Sequence, residues 1–406
     1  MNAADIQGRS GQHGTSLRRT MRFILLLGIV SLFADMTYEG AHGITGPFLS
    51  LLGATAAAAG ITAGMGELIG YGIRLVSGYL ADRTGRYWSI TLIGYTINLV
   101  AVPLLALAGR WQVAAFLIVA ERLGKAIRTP ARDAMLSHAT REIGRGWGFG
   151  LHEAMDQVGA ILGPIIVSVI LRLRGGYHVA FGILLIPALV ALLVLILARM
   201  QYPSPEKLER DTEAGETPDA TNTRFLPRVF WLYLSFVAVS VAGYVHFQLI
   251  SYHFKTLSVV SDVLIPVLFA LAMGVDALVA LLIGRLYDSI GLLSLMAVPL
   301  LALPISALTF SRGYHAVVVG VLLWGAVMGI QETIMRAAIA DMISPGRRGV
   351  AYGIFNTVYG LSWFLGSTIM GLLYGVSIAQ VILFSIALQV VSVPLLFAVR
   401  RELSAT

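Results

Sequence analysis

Glu121, Lys125, Arg128 and Arg132 follow steps of four, three and four, which place them on one face of a helix over three turns. Such a stripe can attract an anionic solute, ease proton release from a facing carboxylate, or close an intracellular salt-bridge cluster. Arg122 and Asp133 form a second stripe on the same helix. Arg132 and Asp133 fall at its cytoplasmic end, where the salt-bridge reading is favoured. Arg122 and Lys125, nearer mid-span, fit solute or proton handling.

Asp35, Glu39 and His42 repeat the pattern at i, i+4 and i+7. Two neighbouring carboxylates in a dehydrated site compete for ionisation, the property a proton carrier uses. Together with His246, the same residues also supply the donors of a divalent-metal site, and they equally suit permanent pairing with Arg74 and nearby backbone. Glu67 and Arg74, seven apart on one face, can sandwich a partner from another helix as a gate or as a structural pair. Glu153 and Asp156 lie three apart beside His152 and Gln157. Gly159, Gly163 and Pro164 follow them and permit close helix contact and a bend.

Farther along, the charges thin out. Twelve intramembrane charges fall in the first half of the chain, against Asp276, Glu332, Arg336 and Asp341 in the second. Ion coupling is therefore expected in the first half and more neutral solute contacts in the second, with Asp276 a partner for the helix carrying Glu153. Tyr244, His246, Gln248, Tyr252 and His253 make a polar aromatic segment, in which Tyr252 defaults to membrane anchoring, as does Trp231. Gln331, Glu332, Arg336, Asn356, Tyr359 and Trp363 suit hydrogen bonding to, and stacking on, a small organic solute.

The elements that must hold these residues are membrane helices. Of 406 residues, 57% are hydrophobic and 13% charged, against roughly 25% charged in a soluble domain. A soluble globular enzyme is excluded. Cysteine is absent, which removes disulfides, thiolate metal sites, iron–sulfur clusters and Cys nucleophiles. Tyr87 to Gly109, Gly175 to Ala198 and Ser289 to Ser311 carry no charge, and Gly349 to Val399 is long enough for two spans. Adding the weaker segments gives twelve helices at 22–50, 56–80, 88–109, 112–135, 147–171, 177–199, 229–251, 260–283, 292–311, 314–340, 350–375 and 377–399. Every intramembrane charge costs roughly 2.5–3.5 kcal/mol at mid-bilayer, so these side chains should face a cavity or one another.

Eighteen Lys and Arg flank the even-numbered loops and the two termini, against five on the opposite side, which places both termini in the cytoplasm. The first apolar segment is long and lacks a small-residue cleavage site, so it is expected to remain as the first helix. An acidic, polar stretch at 201–228 reads as a flexible cytoplasmic linker. The expected organisation is a cytoplasmic tail (1–21), a six-helix bundle (22–200), the linker (201–228), a second six-helix bundle (229–399) and a short tail (400–406). The halves are self-similar: Gly78, Asp82 and Gly85 recur 206 residues later as Gly284, Asp288 and Gly291.

With Arg83 and Arg86, the first copy reads G-x-x-x-D-R-x-G-R, and on this motif the chain resembles the major facilitator superfamily. The resemblance implies an all-α membrane protein of twelve transmembrane helices in two pseudo-symmetric six-helix bundles. It also implies that this loop stabilises the outward-open state. Physically, Gly78 and Gly85 allow a tight turn, while Asp82 can latch onto the positive end of the eleventh helix near Gly349 to Tyr352, or simply cap its own hairpin. The helix 4 motif, Arg122 to Ala126, is similar to the family's but departs in its glycine spacing, and the helix 5 motif, Gly159 to Pro164, resembles the family's but lacks the glycine that normally follows. The stretch from Glu121 to Asp133 looks like a bacterial and archaeal branch of uncharacterised transporters, and it carries no substrate with it.

The function expected is secondary active transport of a small solute by alternating access in the plasma membrane, proton-coupled, with export favoured on the partial helix 5 motif. The alternatives are a divalent-metal transporter built on Asp35, Glu39, His42 and His246, or a membrane sensor. H-E-x-x-H, G-x-S-x-G and the nucleotide-binding G-x-x-x-x-G-K-[ST] are missing, so neither an intramembrane enzyme nor an ATP-driven pump is expected. No cofactor and no resident metal are called for. The expected partners are the solute, protons and the lipid bilayer, for a monomer without nucleic acid.

Overall fold

Long apolar runs separated by short polar turns fold here into helices, because in lipid every backbone polar group must be satisfied within its own segment. The computed structural model describes residues 3–140, 145–203, 226–343 and 347–405. The first half comprises α1 (Ala3–Leu51), α2 (Ala56–Thr84), α3 (Tyr87–Leu104), α4 (Trp111–Thr140), α5 (Arg145–Arg172), α6 (Gly176–Ile183) and α7 (Leu185–Gln201). The second comprises α8 (Arg228–Ala242), α9 (Phe247–Thr256), α10 (Leu264–Ile290), α11 (Ala297–Ala302), α12 (Ile305–Thr309), α13 (Tyr314–Met342), α14 (Arg348–Val376) and α15 (Ile378–Ala405). Taking α6 with α7, α8 with α9, and α11 with α12 as single passes, the described order is consistent with twelve. Among the described residues, eight stretches are long and apolar enough to span a bilayer, and one of them, Leu264–Thr309, is long enough for two passes. α2, α4 and α14 are long too, but glycine and polar residues dilute their apolarity.

Several boundaries differ from expectation: α4, α10 and α15 run on to Thr140, Ile290 and Ala405, so that most of the expected C-terminal tail is helical. α1 begins at Ala3 and runs through the segment expected to be a tail. The seventh span breaks between Ala242 and Phe247, and the break is paired throughout: Ser385 donates to the Gly243 carbonyl at 2.7 Å and the Trp324 indole to that of Val245 at 2.8 Å. The His246 ring accepts from the Gln248 amide at 3.1 Å, capping α9. Irregular backbone at membrane depth survives where protein supplies these partners. Most of the linker, with Arg141 and residues 344–346, lies outside the described residues.

Small residues set the helix spacing. At Gly159 and Gly163 on α5, an added Cβ would collide with the α1 backbone at Leu32 and Met36. Between the halves, Gly60 and Gly64 on α2 meet Ser367, Gly371 and Phe364 on α14 equally closely. Such contacts replace the hydrophobic drive that lipid does not provide. α2 and α14, α1 and α9, and α5 and α10 form the seam between the bundles. Large exposed apolar side chains such as Phe116, Leu189, Leu281 and Leu383 cover the outside.

Candidate functional site

A cavity of about 590 Å³ opens along this seam, within the roughly 300–1,000 Å³ of small-molecule sites. α1 contributes Asp35, Tyr38, Glu39 and His42; α2 contributes Glu67, Tyr71 and Arg74. α4 adds Arg122, Lys125, Arg128, Arg132 and Asp133, and α5 adds His152, Glu153, Asp156 and Gln157. The second half supplies His246, Asp276, Glu332, Arg336 and a wall of Phe269, Trp324 and Trp363. Helical periodicity explains the selection, since each set recurs at steps of three or four along its helix.

The first-half charges are interlocked. Arg122 lies 3.4 Å from Glu67 and 3.5 Å from Glu121, and donates to His42 Nδ1 at 2.6 Å. Lys125 lies 3.6 Å from Glu39 and 4.0 Å over the Tyr38 ring. Asp35 accepts from the Tyr38 hydroxyl at 2.5 Å. Arg128 is 1% exposed and stacks 4.2 Å over Tyr95. Arg132 binds Asp133 at 2.8 Å and reaches Asp156 at 3.8 Å, while His152 lies 3.5 Å from Asp156. Burying so many charges is tolerable only because they meet one another around water-accessible space.

The second half is sparser. Its Tyr359 meets Tyr71 of α2 at 4.8 Å across the seam, and the Arg74 guanidinium of the first half lies 4.8 Å over that Tyr71 ring. Tyr359 donates to Gln331 at 3.0 Å and stacks on Trp363. Asp276 is buried and lines the cavity, as do Glu332 and Arg336.

The cavity's two ends differ. It reaches Asp133, Leu136 and Gly150 on the side that carries the termini. At the other end the halves are stitched together: Gln248 donates to the Ala59 carbonyl at 3.1 Å, Tyr252 to that of Ala54 at 3.0 Å, and Ser168 to that of Val263 at 2.7 Å.

Several expected site residues lie elsewhere. Glu121 turns from the cavity toward α3, accepting from Asn98 at 2.7 Å. Tyr244 donates to the Trp324 carbonyl, and Gln248 belongs to the closed end. Gln331, Asn356 and Tyr359 stand behind the cavity wall rather than on it. Among the described residues no three His, Asp or Glu converge as a metal-holding group. His42 and His246 instead stack face to face, centroids 5.5 Å apart. Tyr38, Tyr71, Phe269 and Trp324 are lining residues that charge spacing missed, although Tyr38 stands three residues from Asp35, on the same face.

In the loop motif, Gly85 ends α2 in the left-handed conformation at φ +65°, and Gly291 ends α10 at φ +59° with ψ −140°, so both copies use a positive φ that glycine allows. Gly78 packs against Pro130. Asp82 is exposed and accepts from Tyr87 at 3.3 Å; among the described residues it makes no bond to the first turn of α14. Arg83 donates to Tyr79, the Arg86 amide to Thr84, and Gly284 and Asp288 stand on the last turns of α10.

Two helical bundles around a charged cavity closed at one end make a membrane transporter that works by alternating access. The chain belongs to the Major Facilitator Superfamily, whose model matches residues 24–367. An uncharacterised protein of Mycobacterium tuberculosis is 42% identical over 380 residues, 93% of each chain. An uncharacterised MFS-type transporter of Methanocaldococcus jannaschii is 28% identical over 387 residues, 92% of this chain and 94% of that one. Among solved structures, the nucleoside transporter NupG superposes with a TM-score of 0.70 at 14% identity, covering 93% of this chain and 98% of its own. That likeness concerns the fold.

Proposed function

We propose that the protein is a proton-coupled exporter of a small organic solute in the plasma membrane, acting as a monomer with both termini cytoplasmic and no nucleic-acid partner. The observation that carries this reading is the seam cavity, in which carboxylates, guanidiniums and aromatic rings from both halves face one space. The cation bias of the even-numbered loops makes the open end cytoplasmic. Solute enters there, contacts the aromatic wall and the charged groups, and leaves at the opposite end after the bundles rock. Carboxylates lining the cavity carry the coupling protons, and the Gly159–Gly163–Pro164 segment of α5, seated on α1, is the feature that favours export. Asp82, bonded to Tyr87 in this conformation, moves to the positive end of α14 when the cytoplasmic side closes.

A thermal-shift screen on the purified full chain identifies a solute, and its flux is then measured in proteoliposomes under an imposed pH gradient. Flux that follows the gradient and collapses when the gradient is dissipated is expected. Flux indifferent to it overturns the proton coupling.

A further inference from the structure

Acids facing the cavity fall into two populations. Glu39 has Lys125, Glu67 has Arg122, and Asp133 and Asp156 share Arg132. Asp35 is held by Tyr38 with Lys125 and Arg128 in electrostatic reach. Asp276, Glu332 and Glu153 are different: among the described residues none of the three makes an ion pair, and although Arg336 and Lys125 lie in electrostatic reach of Glu332, neither acts on Asp276 in that way. Asp276 is 4% exposed, and its Oδ1 is buried without a hydrogen-bond partner.

The groups that act on Asp276 come from several elements around it, and among the described residues the strongest of them include no cation. They are Glu332 on α13, Glu153 and Gln157 on α5, Glu39 on α1, and Tyr244 at the α8–α9 break. Gly329 lets the α13 backbone press against Asp276, so the side chain cannot retreat that way. Removing one charge of a buried pair is strongly destabilising because the other is left uncompensated. Asp276 stands in that situation with two more carboxylates nearby. A metal ion does not resolve it, since these acids do not converge as a metal-holding group among the described residues. A proton does.

We infer that Asp276 binds the coupling proton, at a position it shares with Glu332 and Glu153. The position lies where α5 of the first half meets α10 and α13 of the second, so rocking of the bundles changes its access to water. This deepens the proton-coupled reading and moves its seat from the first half, where charges are most numerous, to the seam, where they are unmatched.

The test treats the purified full chain with dicyclohexylcarbodiimide, which attacks protonated carboxyl groups in apolar surroundings, and locates the adduct by peptide mass spectrometry. An adduct on Asp276 at mildly acidic pH is expected, falling about tenfold per pH unit once the group ionises. It disappears in Asp276→Asn and returns in Asp276→Glu. Adducts confined to Asp35, Glu39 or Asp156, or none on Asp276, overturn the assignment. The coupling reading fails separately, when solute flux in wild-type vesicles ignores the pH gradient.

Discussion

Glu67 and His246 meet at 3.4 Å across the two halves, and the same Glu67 oxygen lies 3.4 Å from the Arg122 guanidinium. One carboxylate thus ties α2 to α4 in its own bundle and to the broken helix of the other. Removing its charge leaves Arg122 with Glu121, at 3.5 Å, as its remaining ion-pair partner. Glu67→Gln should lower stability by roughly 3 kcal/mol, with a lowered Tm in detergent. Glu67→Gln combined with Arg122→Gln should recover part of that loss; a fully additive double variant would show that the pair is not coupled.

Positive φ at the ends of α2 and α10 makes a sharper structural prediction. Gly85→Ala should cost roughly 1–2 kcal/mol, and Gly291→Ala, at φ +59° and ψ −140°, roughly 1–3 kcal/mol, although neither Cβ would meet another atom within 4 Å. Gly72→Ala adds the same methyl to open space on ordinary helical backbone. It should hold the Tm or raise it, since alanine favours helix over glycine, and equal losses at all three positions would exclude backbone strain as the cause.

How much of this was legible in the sequence depends on whether a property is carried by one helix or by several. Spans follow from uninterrupted apolar runs, and the turn at Gly85 from a glycine spaced for it, because both are local. Pairing is not. The spacing of Glu121 and Lys125 puts them on one stripe, yet the partner of Glu121 is Asn98 on α3, which no spacing along α4 predicts. Counting charges pointed to the first half for ion coupling, whereas the structure matches most of those acids to cations and leaves Asp276 alone. The break before α9 was hidden for the same reason, since the groups that satisfy it, Trp324 and Ser385, lie 79 and 142 residues from their partners.

Divalent-metal transport was suggested by Asp35, Glu39, His42 and His246. In the structure His42 accepts from Arg122 and stacks on His246, which leaves no common centre for the four. Adding Zn²⁺ or Mn²⁺ to the purified protein should leave its Tm unchanged. A rise that vanishes in both His42→Ala and His246→Ala would restore the metal reading.

The chain has no cysteine, so single thiols report accessibility without background, and this gives the most direct test of alternating access. Ala280 lines the cavity, while Ser251 is fully buried at the closed end. In oriented vesicles, a membrane-impermeant maleimide should label Ala280→Cys from the side of the termini. Ser251→Cys should react only slowly from the opposite side, and its labelling should rise under conditions where that of Ala280→Cys falls. Rapid labelling of Ala280→Cys from both sides at once, or from neither, would contradict a cavity that opens to one side at a time.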